Sequence, residues 1–306
     1  MSSEEIPPAS SDVLQAIDAL APQKKRSFLK RFFTRLDRSV YKDEEEFLEN
    51  PALPMEKRVD LVARLNGLNR RSGYHSAFLM ELTKLVESIP AHMRTDKPLR
   101  ILDIGVGGGG LLERIYGWSL KKGIPVELYG IDVDKDFLDK TRAHLKKNNV
   151  PAQLILGSGS DLHPLENESI DIVVSSYVVH HVRTLKSLTG FFEEILRVAR
   201  CGWLIVDMER RFWGPPFALF SGYLFGGSPA LVWDGVKSIR RAYTSDEINA
   251  VLRNAVRSFG AGDMVCRPHP LFPYWLIRGV KTPLPQLHAL PQSVSVRIPA
   301  QRDRIR

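Results

Sequence analysis

Apolar positions along the chain follow two different periods, and the change of period divides it. Met1 to Gln23 is polar and proline-containing, predicting a loose arm with at most a short helix around Asp12 to Leu20. The run KKRSFLKRFFTRLDR, Lys24 to Arg38, then sets Phe28, Leu29, Phe32, Phe33 and Leu36 at helical spacing among Lys24, Lys25, Arg26, Lys30, Arg31, Arg35 and Arg38. This predicts a basic amphipathic helix. Packing of its apolar stripe on the main domain is the expectation favoured over an anionic membrane surface, with the acidic run Asp43 to Glu46 pairing with its bases. Met55 to Ile89 predicts two helices broken near Gly67 or Gly73 and closed by Pro90.

From Leu99 the period alternates. Strands are predicted over Leu99 to Ile104, Val126 to Ile131, Gln153 to Leu156, Ile170 to Ser176 and Trp203 to Asp207. Helices are predicted over Leu111 to Leu120, Lys135 to Asn148 and Leu185 to Ala199. Repeated β-α-β crossovers require a parallel sheet covered by helices on both faces. Phe212 to Trp233 carries no charge, yet Pro215, Pro216, Gly222, Gly226, Gly227 and Pro229 would break a lipid-exposed helix, so an apolar lid is expected rather than a membrane span. Thr244 with Glu247 forms a capping box opening a helix to about Phe259, and Asp263 to Arg267 with Pro273 to Val280 predicts an antiparallel pair closing the sheet.

Composition narrows the class without choosing a chemistry. With 306 residues, 43% hydrophobic and 25% charged, the chain has ordinary globular usage, which excludes collagen, wholesale disorder and a membrane bundle. Two cysteines, Cys201 and Cys266, are too few for a disulfide framework or a paired-cysteine zinc site, so a reducing, cytoplasmic setting is expected. Glu4, Glu5 and Asp12 stand where a secretory signal needs bases and an apolar run, so export is not expected. The net charge is +8, but Met264 to Arg306 holds seven bases against Asp303 alone, and the proline-bearing stretch from Thr282 predicts a solvated tail. The basic excess therefore argues only weakly for nucleic acid as a partner.

The most informative segment is LRILDIGVGGGG, Leu99 to Gly110, a buried strand running into glycines and then a helix. Gly105, Gly107 and Gly110 alone would also satisfy a dinucleotide fingerprint. Asp103, two residues before the first glycine, points instead to a ligand with positive charge. An acid, one residue and Gly-x-Gly-x-Gly, here Asp103, Gly105, Gly107 and Gly109, resembles the first motif of the class I S-adenosylmethionine-dependent methyltransferases. The resemblance spans about Leu99 to Val280 and implies an α/β, Rossmann-like doubly wound, mostly parallel seven-stranded sheet with an antiparallel last strand, plus N-terminal helices and the lid.

It also implies S-adenosylmethionine as cofactor, with roles carried over by position. Asp103 would hold the ammonium side, and the glycine loop would cradle the methionine end. Asp132, 27 residues after Gly105 and followed by Val133, would take the ribose hydroxyls, whereas Asp134 reads as a helix-start residue. Where the family often has an Asp after the glycine of the adenine pocket this chain has Ser158, leaving Ser158, Gly159 or Asp161 to meet the adenine amine. Ser176 and Tyr177 flank the transferred methyl. No metal-ligand cluster is evident.

His180 and His181 follow the fourth strand, and an imidazole there suits proton removal from a hydroxyl acceptor. A similar pair occurs in methyltransferases of quinone biosynthesis, and a structural role, capping strand and helix, is the favoured alternative. His181 is preferred as the base. The segments DMERRFWGPPFALF and DGVKSIRRAYT resemble a bacterial methyltransferase subgroup accompanying polyketide and aromatic biosynthesis, with Asp207, Arg210 or Arg211, Asp234, Ser238, Arg240 and Arg241 at its positions. Either an arginine orients the substrate or, as favoured, these residues form ion pairs that fix the lid. Candidate substrate and lid residues are Arg210, Arg211, Trp213, Phe217, Arg241 and Tyr243.

The organisation expected is an arm with the basic helix over 1–54, a helical cap over 55–98, a methyltransferase domain over 99–281 with its lid at 212–243, and a basic tail over 282–306. O-methylation of a small hydrophobic phenol, quinone or polyketide-like acceptor is expected, with peripheral membrane contact as a hypothesis. A nucleic-acid or protein methyltransferase, and a non-catalytic cofactor-binding protein, stand as alternatives.

Overall fold

The computed structural model describes residues 11–20, 28–50, 52–259 and 264–281. Helices α1 (Ser11–Leu20), α2 (Phe28–Ser39), α3 (Met55–Arg71) and α4 (Tyr74–Ser88) precede a seven-stranded sheet. Its strands are β1 (Leu99–Ile104), β2 (Val126–Asp132), β3 (Ala152–Leu156), β4 (Ile170–Ser176), β5 (Ala199–Met208), β6 (Cys266–Pro268) and β7 (Tyr274–Val280). The order is β3-β2-β1-β4-β5-β7-β6, parallel through β5 with β7 antiparallel to both neighbours. That is the doubly wound topology expected, with the reversed last strand.

Helices α5 (Gly110–Lys122), α6 (Lys135–Lys147), α7 (Leu185–Val198), α8 (Gly214–Leu224), α9 (Pro229–Arg241) and α10 (Ser245–Phe259) complete the chain. One face of the sheet buries Leu112, Ile115, Leu138 and Leu145 with Phe78 and Leu82 of α4. The other buries Phe191, Phe192 and Ile195 of α7, Val251 of α10, and Trp203 and Trp275. A parallel strand covered on both sides must be apolar throughout, which is why IDIVVSS of β4 is buried in six of its seven positions.

Several expectations are met residue by residue. The break between α3 and α4 falls at Gly73, in the left-handed region at φ 78°. Asp134 caps α6, accepting from the Phe137 amide at 2.9 Å. The Thr244/Glu247 box is closed in both directions: the Glu247 amide donates to Thr244 Oγ1 at 3.3 Å, and the Thr244 amide to Glu247 Oε2 at 2.8 Å.

The lid itself is interrupted as expected: α8 ends at Leu224 and α9 starts at Pro229, with Pro215 and Pro229 in the first turns of the two short helices, where no amide is needed. Three expectations are corrected. The short helix expected around Asp12 to Leu20 is α1, but it is not part of a loose arm: its Val13, Leu14 and Ile17 are buried in the core beside α10. The acidic run pairs with the lid instead of the basic helix: Glu44 meets Arg240 at 3.0 Å and Glu46 meets Arg241 at 2.8 Å. The apolar stripe of α2 faces outward, away from the core. Lys24 to Ser27, Asp263 and the basic tail lie outside the described residues.

Candidate active site

The C-terminal ends of the parallel strands open into one cavity of about 900 Å³, the place where doubly wound sheets bind ligands. Its floor is the turn after β1. Gly105, Gly107 and Gly109 have φ of 75°, 47° and 76°, a region that side chains strongly disfavour. At Gly105 a Cβ would also lie 2.2 Å from Val178 Cγ2, so the loop is shaped by space as well as by torsion. The helix that follows, α5, directs its N-terminus at the cavity.

Asp103 is buried beneath this loop, and its Oδ1 has no hydrogen-bond partner. Burial, reinforced by the charge of Asp132, holds its carboxyl well above the usual range. A buried carboxylate without a partner is costly unless a cation arrives, and a ligand ammonium would supply one. Asp132 accepts from the Gly107 amide at 2.9 Å through Oδ2 and from the Asp134 amide at 3.2 Å through Oδ1. It thus ties the ends of β1 and β2 together beside the cavity, and Val133 after it is exposed at the rim. Beyond β3, Ser158 accepts from the Ser160 amide at 3.2 Å, and a Cβ at Gly159 would lie 2.5 Å from Ile104. Past β4, Ser176 shares a 2.7 Å hydrogen bond with the Tyr74 hydroxyl, and Tyr177, at φ 59°, stacks on the Tyr74 ring at 4.5 Å. All ten candidate cofactor positions except Gly109 line the cavity; Gly109 instead packs its turn on Thr141 and Leu145 of α6.

The two histidines share the cavity wall but not their surroundings. Nδ1 of His180 donates to Asp207 at 2.6 Å, while Nε2 faces Glu46 at 3.4 Å, beyond good hydrogen-bond geometry. Despite burial, these two carboxylates raise its pKa to about 9, so it is an imidazolium at neutral pH. His181 lies against that charged ring, with centroids 4.1 Å apart. Burial and the His180 charge lower its pKa, so it is neutral and able to take a proton. Its Nδ1 lies 2.6 Å both from Glu49 Oε1, which would take a hydrogen from it, and from the Arg241 guanidinium, which can only donate to it, so the tautomer decides which of the two bonds forms.

Glu46 and Glu49 belong to a short strap, Asp43 to Asn50, that lies against the lid. Asp234 of α9 accepts from the amides of Phe47 at 2.7 Å and Leu48 at 3.3 Å. Ser238 donates to Glu46 at 2.5 Å, and Arg241 reaches Glu46 and Glu49 at 2.8 and 2.5 Å. Glu46, His180 and His181 come within 4.8 Å of one another, a spacing suited to a metal ion. The Arg241 guanidinium, bonded to Glu46 and 2.6 Å from His181 Nδ1, supplies the positive charge there.

Of the candidate substrate residues, Phe217 lines the cavity and the others serve the framework. Arg210 is fully buried, donating to the Ala242 carbonyl at 2.6 Å and to Glu247 at 2.5 Å. Arg211 pairs with Glu209 at 3.0 Å, and the Tyr243 hydroxyl donates to the Val182 carbonyl at 2.5 Å. Trp213 sets its ring edge-on to Phe217 at 5.9 Å. The DG…S.RRA segment is therefore a fastening for strap and lid, the role favoured from sequence. Sequence reading missed Tyr74, the strap acids, and α3, whose Val62 and Asn66 lie directly against Gly108 and Gly110. The helical pattern of α3 was visible, but nothing local shows what a half-exposed helix covers.

Residues 102–206 match the family model described as a methyltransferase domain. The chain is 29% identical over 116 residues to a citrinin polyketide synthase of Monascus ruber, covering 38% of this chain and 4% of that protein. It is 33% identical over 98 residues to a ubiquinone biosynthesis O-methyltransferase of Paramagnetospirillum magneticum, covering 32% of this chain and 36% of the relative. The chain thus spans well under half the length of these relatives. Among solved structures, the plantazolicin methyltransferase BpumL, in complex with a pentazolic desmethylPZN analog and SAH, shares the fold with a TM-score of 0.52 at 16% identity, over 82% of this chain and 98% of that one. Sheet order, glycine turn and family match agree: the chain carries a methyltransferase domain of the class I S-adenosylmethionine-dependent family.

Proposed function

We propose that the protein methylates a hydroxyl of a small hydrophobic acceptor, a phenol, quinone or polyketide-like molecule. One observation carries this reading: a single cavity joins the unpartnered carboxylate of Asp103 to the neutral, carboxylate-backed His181, with the aromatic residues Tyr74, Tyr177, Phe217, Phe272 and Tyr274 between its walls. The likeness to a citrinin polyketide synthase and to a ubiquinone biosynthesis O-methyltransferase supports it.

When bound, S-adenosylmethionine supplies an electrophilic methyl for in-line displacement. Asp103 neutralises its ammonium, the amides of the glycine turn and the N-terminus of α5 receive its carboxylate, and Asp132 takes ribose hydroxyls on lone pairs its amide bonds leave open. Ser158 and Gly159 would border the adenine, and Ser176 and Tyr177, which line the same cavity, would stand beside the methyl. His181 accepts the acceptor's hydroxyl proton while Glu49 holds its Nδ1–H in place and stabilises the imidazolium that forms. His180, already charged, is a positioning residue that keeps the turn after β4 on Asp207. The aromatic wall orders a flat acceptor and sheds water.

Calorimetric titration with S-adenosylmethionine and S-adenosylhomocysteine tests the first half. Micromolar binding lost in Asp132→Ala is expected, and no binding of either would overturn the reading. A screen of phenols and quinones then tests the second: turnover lowered at least about a hundredfold in His181→Asn is expected of a general base. Cofactor binding without turnover of any acceptor, indifferent to that substitution, would assign the fold to a non-catalytic role.

A further inference from the structure

Helix α2 presents its apolar stripe to solvent. Phe28, Leu29, Phe32 and Phe33 share one side of the helix and are 73%, 65%, 50% and 47% exposed. The opposite edge holds α2 on the protein: Asp37 is buried and accepts from the Phe212 amide at 2.9 Å, Lys30 pairs with Asp246 at 3.0 Å, and Arg38 with Asp18 at 2.5 Å. Arg31 and Arg35 are exposed and make no ion pair among the described residues. The only acid of α2 is the buried Asp37, so its outward side carries phenylalanine, leucine, positive charge and the hydroxyl of Ser39, with no negative charge.

This face continues into the lid. Phe33 stacks on Phe212 at 6.1 Å, Trp213 meets Phe217 at 5.9 Å, and Phe217 meets Phe272 at 5.8 Å, so neighbouring rings lead from α2 to two residues of the cavity wall. Helix α8 carries apolar side chains on both sides: Phe217 and Ala218, with Ser221, line the cavity, while Phe220, Tyr223 and Leu224 are exposed on its outer side.

We propose that α2 and the outer side of α8 form a docking surface for an anionic lipid bilayer, from which a lipophilic acceptor reaches the cavity. Rings and leucines flanked by unpaired arginines match the acyl and phosphate layers of such a surface. A second copy of the chain would bring its own bases against these, and like charges would oppose the contact. Among the described residues no helix is long and apolar enough to cross a membrane, and the contact proposed for α2 and α8 is with the bilayer surface. The delivery step rests on the acceptor proposed above; docking does not.

Co-sedimentation of the full chain with phosphatidylcholine vesicles containing phosphatidylglycerol tests docking without cofactor or turnover, so its outcome is independent of the proposed reaction. Binding is expected to the anionic vesicles, weakened by salt, and not to pure phosphatidylcholine. Phe32→Asp, and Arg31→Glu with Arg35→Glu, should each lower it by at least about tenfold while S-adenosylhomocysteine titration stays at the parental value. Failure to bind, equal binding to neutral vesicles, or variants that bind like the parent would overturn the proposal. So would a concentration-dependent dimer abolished by Phe32→Asp, which would give the face to a second copy.

Discussion

Arg241 donates to Glu49 at 2.5 Å across 192 positions of sequence, and this bond joins the lid helix to the strap behind His181. Arg241→Ala would remove the guanidinium that Glu46 and Glu49 share, leaving Glu46 the His180 imidazolium and Glu49 the Arg183 guanidinium, each at 3.4 Å. Loss of one partner from such a buried cluster costs about 3–5 kcal/mol, and urea denaturation should show it. Arg241→Lys should recover part of the loss, because the charge returns without the bidentate fork.

Asp103→Asn should act oppositely on the two states of the protein. The uncharged amide removes a carboxylate that burial and Asp132 destabilise, so the ligand-free protein should melt higher. The same substitution removes the counter-charge proposed for the cofactor ammonium, so calorimetry should show weaker S-adenosylhomocysteine binding. A variant that melted higher and bound equally well would separate Asp103 from the cofactor.

Gly105→Ala should unsettle the floor of the cavity. The added methyl meets Val178 at 2.2 Å with the backbone at φ 75°, a combination worth about 1–3 kcal/mol of strain. The pairing with Val178→Ala should relieve the clash but not the torsion, so thermal melting of the double variant should recover only in part.

Stability should fall on the alkaline side through His180. Its pKa rises to about 9 in the fold, so its contribution is full below the ordinary histidine value and is lost as pH climbs through 9. On the acid side Glu46, lowered to about 2, contributes above the ordinary carboxylate range and loses that contribution as pH falls. Urea midpoints across this range should trace both limbs, and His180→Gln should flatten the alkaline one.

Much of this architecture was legible in the sequence because its signals are local. The glycine turn, the uninterrupted strand of β4 and the Thr244/Glu247 box each write their geometry into a few consecutive residues. The strap was not legible: Glu46 and Glu49 meet His180, His181 and Arg241 only through the fold, and nothing near an acidic run names its partner. Helix α2 failed for another reason. Its periodicity showed that one face is apolar, yet periodicity has no means of saying whether protein, solvent or lipid covers that face. The lid prolines were legible as well: standing in the first turns of α8 and α9, they accompany the division of the uncharged segment into two short helices.

Arg71, near the end of α3, donates to the Phe225 carbonyl at 2.7 Å in the turn between α8 and α9. The helix over the glycine turn is thereby latched to the helices over the aromatic wall. Lifting either cover would break this exposed bond, and Arg71→Ala should therefore raise amide exchange in the turn between α8 and α9 while leaving that of the sheet unchanged.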